Sequence, residues 1–419
     1  MHERAVTALG QHFQWLTGVV RNVRRGFHRP PVDAPDTLAR YIAHLPSFRQ
    51  AMAHPDTRPR IRHWLVAPTD MGRMRWPVPA LPTTGELAAW LGLSDEDLDW
   101  LADRKGYSHS ARDTRLLHYQ WRWVPKRTGG VRLLESPKAR LKALQRQVLH
   151  AILDAIPPHE SAHAFQQGRS VLTFAAPHVG QHVLLRMDLE DFFTSISAGR
   201  VFGVFRTAGY PEAVSSTLAS LCTHALPLLV LRDMPRPASV EDIDAHWRAR
   251  ARLSSPHLPQ GAPTSPALAN LCAWGLDVRL STLAASMGVR YSRYADDLVF
   301  SGGEDLSHAL ERFRHLVETV IRDEGFVPNV RKTRVLRQSV RQQVAGVVVN
   351  ARPNVPRADF DTLKATLTNC IRQGPSTQNH TGHPDFRAHL VGRVAWVASV
   401  HPQRGARLHA LLDAIDWSR

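Results

Sequence analysis

The chain has 419 residues, 53 of them basic against 37 acidic, which gives a formal charge of +16 and a pI near 10.7. That length is enough for a full core and two or three domains or subdomains, and the charge asks for a polyanionic partner, a nucleic acid or an acidic membrane surface. Three widely spaced cysteines (Cys222, Cys272, Cys370) support neither a disulfide framework nor a cysteine-based zinc site, and Glu3, Arg21, Arg24 and Arg25 interrupt any secretory signal, so a cytoplasmic protein is expected.

Residues 1–80 carry a short apolar-periodic segment around Phe13-Gln14-Trp15-Leu16, a basic run Arg21-Asn22-Val23-Arg24-Arg25, and Pro30, Pro31 and Pro35. The basic run fits phosphate contact and a solvated helix face equally, and nothing in this region names a function. The stretch from Thr84 predicts a helix entered through a capping threonine, followed by a second helix from Ser94 with Glu96 and Asp97 in its first turn. Trp121–Lys126, a turn at Thr128-Gly129-Gly130 and Val131–Glu135 predict a β-hairpin with cations along it. From Lys138 to Leu153, Leu141, Leu144, Val148, Leu149 and Ile152 recur at helical spacing, with Arg140, Lys142 and Arg146 elsewhere around the helix. One face packs, and the rest is free to track nucleic acid.

His159-Glu160-Ser161-Ala162-His163 matches a zinc-hydrolase pattern, in which two histidines one helical turn apart hold the metal. Pro157-Pro158 before it and Gly168-Arg169-Ser170 after it leave barely two turns of helix, so that reading is rejected. The longest uncharged stretch, Ala213 to Leu231, has the length of a membrane span but contains Ser215, Ser216, Ser220, Thr223, His224 and Pro227. It is read as one or two core helices, and no membrane partner is expected.

An apolar run, Val183–Met187, ends at Asp188 and continues as Leu189-Glu190-Asp191-Phe192-Phe193. In Tyr291–Phe300 two adjacent acids interrupt a run of strand formers. A hairpin with Ala295-Asp296-Asp297 at its tip holds both carboxylates at a cleft while Leu298 and Phe300 anchor the strand below. Three acids on neighbouring strand ends can bind two hard divalent ions, the apparatus of in-line phosphoryl transfer. An isolated Asp-Asp pair is more often a solvated turn, so the surrounding strings have to decide.

Tyr294-Ala295-Asp296-Asp297 resembles the catalytic box of reverse transcriptases, and Leu258-Pro259-Gln260-Gly261-Ala262-Pro263-Thr264-Ser265-Pro266 with Asn270 resembles the template- and nucleotide-facing motif of retron and group II intron-like enzymes. The resemblance runs in order over roughly residues 120–419. It implies an α+β right-hand polymerase fold, with fingers, a palm built on an antiparallel sheet and a helical thumb. Residues 1–80 then form an N-terminal extension of unknown role, 81–118 a helical region preceding the fingers, 119–355 the fingers and palm, and 356–419 the thumb. The implied activity is Mg²⁺-dependent RNA-directed DNA polymerisation, with two ions held by Asp188, Asp296, Asp297 and the backbone of Leu189. Lys126 and Arg132 lie over the triphosphate of the incoming deoxynucleoside triphosphate, and Phe193 excludes a ribose 2′-hydroxyl. Gln260 hydrogen-bonds the nucleotide or template, Gly261 lets the backbone approach the base pair, and Lys332 stands near the leaving pyrophosphate. Leu390, Val394, Val397, Leu408, Leu411 and Leu412, together with Arg387, Arg393, Arg404 and Arg407, resemble the thumb that clasps an RNA–DNA duplex.

Two signatures of retron enzymes occur in altered form. Asn-Ala-x-x-His appears as Phe174-Ala175-Ala176-Pro177-His178, and Val-Thr-Gly as Val344-Ala345-Gly346. His178, Val344, Ala345, Gly346, Arg393 and Arg404 are the residues expected at the structured noncoding RNA that serves as template and primer. A retron or retron-like enzyme of antiphage defence is therefore expected, with a separate effector protein as a further partner. A non-retron or intron-like enzyme that uses another RNA or no template is the alternative, and a catalytically idle RNA-binding scaffold is the reading of another class.

Overall fold

The computed structural model describes residues 2–27, 35–54, 58–60, 62, 70–111, 113–125, 131–237 and 240–418; Lys126, the Thr128-Gly129-Gly130 turn, Pro30 and Pro31 lie outside them. The chain divides into two compact units, Met1–Ile156 with Ser197–Thr264, and Pro157–Ile196 with Ser265–Arg419.

In the first unit, the Gln14–Gly26 helix buries Leu16, Val19 and Val23 on one face and leaves Arg21, Arg24 and Arg25 exposed, which is the solvated arrangement of the basic run. Thr83 and Glu86 cap the Thr84–Leu91 helix reciprocally, each side chain accepting from the other's backbone N–H. Ser94 accepts from Asp97 N–H at the start of the Asp95–Ala102 helix. Strands β1 (Tyr119–Pro125) and β2 (Val131–Pro137) pair antiparallel with Val124 opposite Arg132. Leu133, Glu135 and Pro137 turn inward on β2, so by the two-residue alternation Arg132 is left exposed. The Ala139–Val148 helix runs on through Leu149–Leu153 and buries Leu141, Leu144, Val148 and Ile152. The uncharged stretch after Ala213 lies in two helices, Glu212–Cys222 and Leu228–Arg232, with Val214, Leu218 and Leu221 inside. Among the described residues no helix is long and apolar enough to cross a membrane.

The second unit is built on a four-stranded antiparallel sheet of order β4-β5-β3-β6: β3 Val183–Asp188, β4 Arg290–Tyr294, β5 Asp297–Gly302 and β6 Arg334–Arg337. Strand β3 is an inner strand with Val183, Leu184, Leu185 and Met187 buried, which explains its largely apolar run, broken only by the half-buried Arg186. The Glu304–Asp323 helix lays Leu306, Leu310, Phe313, Val317 and Ile321 into the core, and Phe313 meets Phe300 of β5 edge-on. A short ribbon, β7 (Gln343–Val344) and β8 (Val347–Val348), precedes three helices, Arg357–Gln373, Phe386–Val400 and Pro402–Asp413. Leu363, Leu367, Leu390, Val394 and Leu408 of these helices share one core with Leu184 of β3 and Val299 of β5. Gly405 is obligatory where the last two helices meet, because a Cβ there would overlap Ala398. The α+β architecture with an antiparallel sheet and a helical C-terminal part is the one expected. Residues 157–170 contain no helix, so His159 and His163 are not one helical turn apart, and the zinc-hydrolase pattern has no support.

Candidate active site

Asp188 ends β3 directly opposite Asp297 at the start of β5. Tyr294 of β4 also faces Asp297, which leaves Ala295 and Asp296 as a two-residue hairpin loop. Ala295 adopts φ +55°, a left-handed conformation that costs alanine of order 1 kcal/mol and needs support from its surroundings. Arg293 gives that support. It is fully buried and donates to the Ala295 carbonyl at 3.1 Å and to Asn270 Oδ1 at 3.0 Å, while its Nε and second amino group fork onto Asp277 at 2.8 and 2.6 Å. Asn270 in turn donates to the Ala164 carbonyl, and the Tyr291 hydroxyl to Asp277. The backbone of Arg293 completes the frame by pairing with Ser161 and His163, so the former zinc candidate is an edge of this hairpin.

Asp188 is held by Asn329 Nδ2 on Oδ1 and by Lys332 Nζ on Oδ2, both at 2.9 Å. Arg186 lies 3.6 Å from Asp297. Leu189 is buried and donates its backbone N–H to the Asp296 carbonyl, so only its main chain is available to a ligand. Burial, and then the like charges of Asp188 and Asp297, push the Asp296 carboxyl up to about 6. Burial also raises Asp297, against the pull of Arg186. For Lys332 burial acts downward, but the hydrogen bond and charge of Asp188, with Asp296 and Asp297 behind it, raise the ammonium. The site therefore holds excess negative charge around oxygen donors, which is what a hard cation neutralises.

Phe192 is buried against Phe326 and under the Arg293 guanidinium, whereas its neighbour Phe193 is half-buried, with Phe165 and Phe192 around it. Phe165 is half exposed at φ +59°, a residue that no sequence pattern marked. In the first unit, Gln260 accepts from Glu135 N–H at 2.8 Å, so its loop rides on β2. Gly261 has φ +130°, and a Cβ there would stand 3.0 Å from the Glu135 carbonyl oxygen, so glycine is required. Arg132 projects from the exposed face of β2.

The expected RNA contacts divide. His178 is fully buried, with Nε2 2.6 Å from Ser292 Oγ and Nδ1 2.7 Å from Ser301 Oγ. Ser292 Oγ–H is committed to the Phe174 carbonyl, so it accepts from Nε2–H, and Nδ1 accepts from Ser301. His178 is thus a neutral strut tying β4 to β5 rather than an RNA contact, and burial brings its pKa down to about 3. Val344 is likewise corrected, since its side chain lies in the core. Arg404, half-buried, stacks on Phe360 and donates to Asn354 Oδ1 at 2.9 Å. Ala345, at φ +44°, and exposed Gly346 form the turn between β7 and β8. Gly346 and Arg393 line a cleft of about 570 Å³ with His389, Gly392 and Trp396.

The sheet, the paired acids and the hairpin that carries them define a nucleic-acid polymerase. Residues 124–349, just over half of the chain, match the family described as reverse transcriptase (RNA-dependent DNA polymerase), and the chain belongs to that family. It is 40% identical over 343 residues to the retron Mx65 reverse transcriptase of Myxococcus xanthus, covering 82% of this chain and 74% of that protein. The retron Mx162 reverse transcriptase of the same organism is 35% identical over 80% of this chain and 67% of its own length. The retron Ec86 reverse transcriptase of Escherichia coli is 30% identical over 68% and 77%. Within the family the chain is a reverse transcriptase of retron type, an RNA-directed DNA polymerase.

Proposed function

We propose that this enzyme copies a structured noncoding RNA, its template and primer, into DNA in the cytoplasm, and that the product acts in antiphage defence with a separate effector protein. The observation that carries the chemical part is the meeting of Asp188, Asp296 and Asp297 where the inner strands β3 and β5 end and begin, with the Asp296 carboxyl pushed up to about 6 by burial and its acidic neighbours. Three carboxylates and the Leu189 backbone suit two Mg²⁺ ions, which when bound favour ionisation of the attacking hydroxyl and neutralise the triphosphate.

The rest of the reaction is assigned to side chains. A 3′- or 2′-hydroxyl attacks the α-phosphate and pyrophosphate leaves. Asn329 fixes the Asp188 carboxylate through Oδ1, and Lys332 gives an Nζ proton to the leaving pyrophosphate. Arg132 and Lys126 take the triphosphate, Gln260 and Gly261 meet the nascent base pair, and Phe193 blocks a ribose 2′-hydroxyl. Gly346 and Arg393 face the RNA along the 570 Å³ cleft, with Ala345 in the adjoining turn. In this reading 119–355 work as fingers and palm and 356–419 as thumb on the RNA–DNA duplex, with 81–118 as the preceding helical region.

Asp296→Asn should abolish deoxynucleotide incorporation on an RNA template while leaving RNA affinity within about twofold, because only the ion-binding carboxylate is lost. Nucleic acid co-purified with the wild type should contain one abundant RNA linked to a short DNA that is absent from the variant. Polymerisation retained in Asp296→Asn would sink the assignment, and RNA without linked DNA would remove the retron product from it.

A further inference from the structure

In the first unit, side chains from three separate segments meet in the interior. Glu135 comes from β2, His224 from the residues just after the Glu212–Cys222 helix, and His257 from the segment that leads into Leu258-Pro259-Gln260-Gly261. Glu135 and His257 are fully buried, and the His224 side chain is 9% exposed. His224 Nε2 lies 2.8 Å from Glu135 Oε1, and His257 Nε2 lies 3.1 Å from Oε2. Among the described residues this is the one set of three histidine, cysteine or acidic side chains whose donor atoms all fall within 4.8 Å of one another.

The two imidazoles are held in place before any ligand is considered. Each histidine donates its backbone N–H to the other's carbonyl, at 3.2 and 3.1 Å. His224 is also stacked on Tyr119, with ring centroids 4.2 Å apart. His257 Nδ1 stands 2.7 Å from the Ser255 carbonyl oxygen, which can only accept, so Nδ1 carries a proton. A neutral ring then turns a bare Nε2 lone pair toward a carboxylate 3.1 Å away, a contact that holds only with a proton on Nε2 or a metal ion between the two. An imidazole that gives one N–H to a backbone carbonyl and directs its other nitrogen at a site shared with a carboxylate has the supporting geometry of a metal ligand.

We propose that Glu135, His224 and His257 form a structural site for a borderline divalent transition metal, Zn²⁺ by preference. Two imidazole nitrogens and one carboxylate suit that class of ion and disfavour Mg²⁺, which prefers an all-oxygen shell. The fourth position goes to water from a cavity of about 150 Å³ that His224 lines together with Thr223 and Tyr119. The ion clamps β2 to the segment that ends in Gln260 and Gly261, because Glu135 also gives its backbone N–H to the Gln260 carbonyl. The site is separate from the polymerase assignment, and its ligands share no residue with Asp188, Asp296 or Asp297.

Untagged protein purified without chelators, analysed by plasma mass spectrometry, should carry close to one Zn²⁺ per chain. Asp296→Asn and His159→Gln should keep it, and His224→Gln and His257→Gln should lose it. A second measurement uses only the wild type, in case the histidine variants do not fold. Removing the metal with a chelator should lower the melting temperature by about 5 °C, Zn²⁺ should restore it, and Co²⁺ should bind with the visible absorption of a four-coordinate site. Wild-type metal far below one equivalent, together with no cobalt spectrum, overturns the proposal and leaves a buried imidazolium against Glu135. Metal that survives in both histidine variants, or that leaves with His159→Gln or Asp296→Asn, overturns it as well.

Discussion

Two buried charge centres lie beneath the two motif loops, and they solve the same problem differently. Under Ala295-Asp296, Arg293 spends its donors on Asp277, Asn270 and the Ala295 carbonyl. Under Gln260-Gly261, Glu135 faces two imidazoles, and burial, which alone would raise its carboxyl, is overcome by His257 and His224, which bring it down to about 2. Arginine cannot lose its proton, so the cation of the first centre keeps its charge at any working pH. The second can hold protons or a cation and so has several charge states. The hairpin that carries the paired carboxylates thus rests on the fixed kind of support, and the Gln260-Gly261 loop on the adjustable kind.

The largest effect should come from breaking the fixed centre. Arg293→Leu leaves Asp277 buried without its partner and should cost about 3–5 kcal/mol in denaturant unfolding, together with all polymerase activity. Arg293→Lys should restore little, because one ammonium cannot fork onto Asp277 and still reach Asn270 and Ala295. A near-native midpoint in Arg293→Lys would mean that charge alone, and not the fork, supports the hairpin.

His178 sharpens the comparison as a buried histidine with no charged partner. Its folded pKa of about 3 lies below the unfolded value near 6.5, so below pH 6.5 the unfolded chain binds the proton that the native state refuses. Its contribution to stability is complete above pH 6.5 and shrinks as the pH falls toward 3, by about 2 kcal/mol near pH 5. In His178→Gln that part of the acid slope should disappear from urea midpoints measured between pH 7 and 5. An unchanged slope would place the acid sensitivity elsewhere. The smallest effect should be Ala295→Gly, in which relief of the left-handed strain and the extra freedom of the unfolded chain nearly cancel, leaving stability within about 1 kcal/mol. Ala295→Val should be clearly worse, since a β-branched residue at φ +55° has no relief.

What was legible in the sequence was local. The capped helices near residues 84 and 95, the β4–β5 hairpin and the run ending at Asp188 each announce themselves through adjacent residues, whose spacing maps directly onto turns, faces and strand ends. Asp277 and Arg293 are 16 residues apart, on a helix and a strand, and each reads alone as a surface charge. Glu135 and His257 are separated by 122 residues. Long-range polar pairs leave no period in the chain, so only the fold brings them together. His178 shows the converse, because a motif position suggested a role at the RNA while the packing of Ser292 and Ser301 around the ring decided another.

The core that joins Leu184 and Val299 of the sheet to Leu390, Val394 and Leu408 of the C-terminal helices sets a limit on modularity. Those helices are not an appendage hung on a finished catalytic sheet, since cutting the chain before Arg357 would expose one side of the strand that carries Asp188. Exchanging them for the corresponding segment of a relative would also require the new helices to fit the same sheet. New RNA preferences are therefore easier to write on the solvent side of those helices than to import with the helices themselves.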